Sequence, residues 1–95
     1  MSLVYEREMT ITHKEFLRLL PKALCGRAYS QTGNEITVKV ENDSVLINLS
    51  TQSIRKIASL ELPVTTIRIE LIGFEEDQSA NFMSRFDLAY QKGGG

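Results

Sequence analysis

The chain is poor in the residues that catalysis, metal binding and cross-linking draw on. A single cysteine, Cys25, rules out an internal disulfide. A lone thiol suits a reducing setting, and the reading is of a cytoplasmic protein. A single histidine, His13, leaves too few ligands for a transition-metal site within one chain. No cofactor is expected. No apolar run is long enough to span a bilayer, and the first residues, with Glu6, Arg7 and Glu8, do not read as a signal peptide. Neither sign of charge prevails: eleven Lys and Arg stand against twelve Asp and Glu, for a net charge of -1. That balance gives no general attraction to nucleic acid or to a membrane surface. The glycines match neither the dinucleotide fingerprint nor the phosphate-loop spacing.

What remains is an ordinary globular composition, 42% hydrophobic and 24% charged, in a length that suits one domain. Residues 1–9 are set aside as a flexible N-terminal leader, with Met9 as a second start. A helix is expected over Thr12 to Leu24, opened by a Thr12/Glu15 capping box. Phe16, Leu17, Leu20, Ala23 and Leu24 form its apolar face. Pro21 predicts a kink or a stop near Leu20, and Gly26 a stop. A connector follows, with a short edge strand around Tyr29 and a turn at Gly33-Asn34.

Period-two alternation then takes over. Ile36, Val38 and Val40 share one face of a strand over Glu35 to Glu41; Val45, Ile47 and Leu49 share one face of its partner over Ser44 to Ser50. Asn42-Asp43 is the expected turn between them. Thr51 to Leu62 reads as strand in preference to helix, with Pro63 in the turn that follows. Thr65 to Gly73 is the clearest strand, Ile67, Ile69 and Leu71 inward and Thr66, Arg68 and Glu70 outward. A last helix, capped by Asp77 or Ser79, carries Phe82, Met83, Phe86, Ala89 and Tyr90 at helical spacing and stops at Gly93. The fold class is therefore α+β in two layers. An antiparallel sheet of three to four strands carries an N-terminal and a C-terminal helix on one face, within residues 10–92, and residues 93–95 form a flexible glycine tail.

The chemistry-bearing residues are few. Glu75-Glu76-Asp77 lacks the spacing of a calcium loop and reads as a solvated acidic loop. Cys25 precedes Gly26 and Arg27, but His13 is too distant to serve as its base, so it reads as a half-buried apolar residue at a helix end. The outward strand positions hold no aromatic residues on which RNA bases would stack. Gly94-Gly95 resembles the terminus of ubiquitin-like proteins and small sulfur carriers. That resemblance implies a carrier whose Gly95 carboxylate is adenylated by an activating enzyme.

The leading expectation is a small non-enzymatic binding or accessory protein that docks on a protein partner or self-associates. Lys39, Arg68 and Glu70 on the polar sheet face and Arg85 on the last helix are its candidate contacts. The alternatives are the carrier and a small enzyme or ligand-binding domain with a site at a dimer interface. Arg27, Glu75 and Asp77 are the loop candidates for the latter.

Overall fold

The computed structural model describes residues 2–94. The elements in chain order are β1 (Ser2–Met9), α1 (His13–Ala23), β2 (Tyr29–Thr32), β3 (Glu35–Val40), β4 (Asp43–Leu49), β5 (Ser53–Ile57), β6 (Leu60–Ile72) and α2 (Glu76–Gly94). All ladders are antiparallel, in the order β1-β6-β4-β3-β2, with β5 paired to β6. The α+β class with an antiparallel sheet is as expected, but the sheet has six strands rather than three or four.

The largest correction is at the N-terminus. Residues 2–9, set aside as a leader, form β1 and pair with β6 from Ser2↔Ile72 to Met9↔Thr65. Leu3, Tyr5, Arg7 and Met9 alternate with exposed neighbours and are each partly buried. The charged side chains at 6–8 hide this alternation in the sequence. Arg7 points toward α2, where its guanidinium makes paired hydrogen bonds to the Asp87 carboxylate at 3.0 and 3.1 Å. Tyr5 reaches Ser79, which is fully buried, at 3.0 Å. The Ser79 hydroxyl donates to the Glu76 carbonyl, so the Tyr5 hydroxyl is the donor between the two.

Both helices cover the same sheet face. Ile36, Val38, Val45, Ile47, Leu49, Ile67, Ile69 and Leu71 meet Phe16, Leu19, Leu20, Phe82, Met83 and Phe86 in one core. Phe16 stacks on Tyr90 at 4.8 Å, and the Tyr90 hydroxyl donates to the Phe16 carbonyl at 2.9 Å, joining α1 to α2.

Helix α1 starts as expected, the Thr12 hydroxyl accepting from the Glu15 amide. It runs through Pro21 instead of stopping at Leu20. It ends in a Schellman arrangement, with the Gly26 amide on the Pro21 carbonyl and the Cys25 amide on that of Lys22. The left-handed position belongs to Cys25, with φ 56. Cys25 is exposed, not half-buried. At the start of α2 the caps expected from Asp77 and Ser79 give way to Gln78, whose side chain accepts from the Glu75 amide at 3.0 Å. The helix extends to Gly94, past the expected stop at Gly93. Gly95 lies outside the described residues.

Three hairpins are built alike. Two residues separate Thr32 from Glu35, Val40 from Asp43, and Ile57 from Leu60. The first of each pair has positive φ: Gly33 at 59, Glu41 at 59 and Ala58 at 54. This is the pattern of type II′ turns, whose twist suits strands. The second turn is therefore Glu41-Asn42, one residue earlier than Asn42-Asp43. The third lies inside the segment read as strand from the sequence, and Pro63 sits within β6 opposite Ile54 rather than in a turn.

β6 is the spine, 13 residues long. β1 lines one edge of its C-terminal part and β4 the other; β5 continues the β4 edge along its N-terminal part. Leu49 pairs with Ile67, and Ser53 with Val64. Three residues thus lie between paired positions on β4–β5 against two on β6, a one-residue bulge. The bulge reverses the alternation. Odd-numbered residues of β4 face the helices, but on β5 the even-numbered Ile54 and Lys56 share that side with Pro63 and Glu61.

Candidate functional site

Beyond Thr65 the spine has no β1 partner, and the β5–β6 hairpin leaves the body as an arm. All five residues of β5 are exposed. Ile54 is 64% exposed, Leu60 61% and Ile57 52%. These are among the most exposed large apolar side chains of the described residues, and they gather on one twelve-residue hairpin, Ser53 to Val64. The bulge places them on both faces: Ile54 on the helix side with Pro63, and Ile57 and Leu60 on the outer side in line with Leu62. Arg55, also outer, forms an ion pair with Glu8 of β1 at the base of the arm. Lys56 lies 3.6 Å from Glu61 across the hairpin. At its root, Ser50 accepts from the Thr66 amide, and His13 Nε2 lies 2.7 Å from the Ser50 carbonyl.

Two clefts flank the helical layer. One, about 520 Å³, lies between the end of β1 and the last turns of α2; Arg7, Met9, Ile11, Asp87 and Tyr90 line it. The Asp87 hydrogen bonds raise the Arg7 pKa against the opposing effect of burial. Burial also pushes the Tyr90 hydroxyl well above its ordinary range, with Tyr29 adding to it. The other cleft, about 240 Å³, opens at the far end of the spine, where the end of α1, the β3–β4 turn and the first turns of α2 meet. Arg27, Glu41, Asp43, Gln78, Asn81 and Arg85 contribute its polar groups.

The sequence-derived candidates are thus divided among different surfaces. Arg68 and Glu70 share the outer sheet face, with guanidinium and carboxylate 3.8 Å apart. Lys39 is on the same face but two strands away, opposite Ser44. Arg85 is on the helical side in the smaller cleft with Arg27, so the four proposed contacts do not form one surface. Glu75 and Asp77 lie outside the residues that line that cleft. Gly94 closes α2. No group of three or more His, Cys, Asp or Glu able to hold a metal is found among the described residues. None of the described helices is long and apolar enough to cross a membrane.

The arm itself escapes sequence reading, although Ile54, Ile57 and Leu60 were visible. Apolar residues in an alternating segment are indistinguishable from core until the length of the covering layer is known. Compared with known protein families, with curated proteins and with solved structures, the chain matches none.

Proposed function

We propose that the protein is a small non-enzymatic binding module that engages another protein through the β5–β6 arm. The observation that carries this reading is the exposure of Ile54, Ile57 and Leu60 on a hairpin that extends past its neighbouring strand. Single exposed apolar residues need no explanation, but a cluster on a projecting element marks an interaction surface.

The arm projects past β1, and its three exposed large apolar side chains are few beside the roughly 20–30 residues a side of a stable interface. It therefore suits insertion into a groove on a different protein. Pairing of β5 with β5 of a second copy is disfavoured, because antiparallel alignment brings Arg55 against Arg55 or Lys56. The same two cations favour a groove with an acidic rim. Along β6, period-two alternation continues the outer face of the arm into Thr66, Arg68 and Glu70, which extend the contact. Lys39 and Arg85 fall outside it.

The test is the triple variant Ile54→Ser/Ile57→Ser/Leu60→Ser. Cross-linking and affinity capture from the native host should recover a partner with the wild type that the variant loses, while the melting temperature stays unchanged. Light scattering should give the same mass for both. Identical capture by both proteins would remove the arm from the function, and a wild-type dimer that the variant dissolves would make the occupant a second copy.

A further inference from the structure

We infer that the 240 Å³ cleft at the end opposite the arm binds a small zwitterion of the α-amino acid class with an apolar side chain. Two guanidinium groups, Arg27 and Arg85, and two carboxylates, Glu41 and Asp43, line it together. None of the four is ion-paired with another within 4.0 Å among the described residues. The cleft thus offers both signs of charge without having them cancel each other. An inorganic anion drawn by the arginines meets two carboxylates, and a divalent cation meets two arginines. A ligand carrying both charges satisfies both pairs. The ligand carboxylate takes the arginines and its ammonium takes Glu41 and Asp43.

Two further features fit this assignment. Asp43 is partly buried yet makes no hydrogen bond through its side chain among the described residues, and it lies against a bare backbone. A Cβ at Gly73 would run into its carboxylate. Finally, Phe74, Phe82 and Ala23 supply an apolar wall, and the volume falls below the roughly 300 Å³ at which drug-sized pockets begin. A single amino acid suits that size. Asn81, with one donor and one acceptor group, is placed to orient it.

The probes are L-leucine, L-valine and L-phenylalanine, titrated by calorimetry and by amide NMR of the full chain. At least one should shift the resonances of Asp43, Gly73, Asn81 and Arg85. N-acetylation, or conversion of the carboxylate to an amide, should weaken that binding by about tenfold or more, since each removes a charge-assisted pair. Asp43→Asn and Arg85→Gln should each weaken it to a similar degree with the melting temperature unchanged. The inference is overturned if none of the three shifts these resonances at about 10 mM, a concentration that detects even millimolar affinity. It is equally overturned if the uncharged derivatives bind as well, or if phosphate or calcium alone gives the same shifts. Because the arm variant leaves this cleft intact, amino acid binding should survive in it, which separates failure here from failure of the arm.

Discussion

Cys25 stands where a glycine is expected. In the left-handed region an L-residue carries a penalty of roughly 1–2 kcal/mol, part of which is offset because glycine loses more freedom on folding. Cys25→Gly should therefore stabilise the protein by about 0.5–1 kcal/mol, read as a rise of several degrees in melting temperature. The hydrogen bonds that close α1 come from the backbone and persist in the variant. Tyr90 makes the opposite point, a polar atom whose burial is compensated. Tyr90→Phe keeps the ring on Phe16 but removes the hydroxyl donated to the Phe16 carbonyl, and should cost about 1 kcal/mol. It should also change the alkaline limb of stability. The folded-state pKa of Tyr90 is raised from the ordinary value of 10.0. Below that value both states hold the proton and pH has no effect through this group. Above it the unfolded chain releases a proton that the folded chain keeps, so stability falls as pH rises. Chemical denaturation between neutral pH and pH 11 should show this fall in the wild type and a flatter profile in Tyr90→Phe.

Among the elements, the arm and the body should differ in local stability. The amides of β5 form one ladder with no helix above them, whereas β4 lies between β3 and β6 beneath the helices. Hydrogen exchange at 53–57 should be faster than at 44–49, by an amount that reflects local opening rather than global unfolding. Equal protection would mean that the arm is ordered as firmly as the core. The body strands were legible because alternation survives intact in them: Ile36, Val38 and Val40 face the helices, as do Val45, Ile47 and Leu49. The arm was legible only as extended chain. Its turn uses Ala58-Ser59, which carries no glycine or asparagine signal, and the bulge between Leu49 and Ser53 breaks the parity on which face assignment rests. β1 was missed for a third reason. Its inward position 7 is an arginine, made tolerable there by Asp87, eighty residues later in the chain. The smaller cleft joins residues from four separate segments, so Arg27 and Arg85 could be named from the sequence but not brought together.

For the molecule as a whole, β1 decides whether the sheet closes over its core. It pairs along eight positions of β6 and sends Tyr5 and Arg7 to α2. Removing residues 2–9 would expose one edge of β6 and leave Asp87 and Ser79 without these partners. The truncated chain should lose its cooperative thermal transition, or show a melting temperature lower by well over ten degrees, as expected for a loss of several kcal/mol. An unchanged melting curve would mean that this strand is an accessory. The arm gives the molecule its length: the extents are 47 × 26 × 23 Å, and the radius of gyration of 13.6 Å exceeds the ~12.4 Å typical of a compact chain of this size.

That length lies along β6, which belongs to both the arm and the body. A partner that grips the hairpin tip takes hold of the same strand that carries Ile67, Ile69 and Leu71 through the core. Antiparallel hydrogen bonds run across the strands, so tension along β6 would load the ladders to β1 and β4 in shear, many rungs at once rather than one after another. The projection is thus a handle fastened to an inner strand of the sheet, able to transmit a pull without unzipping what it is fastened to.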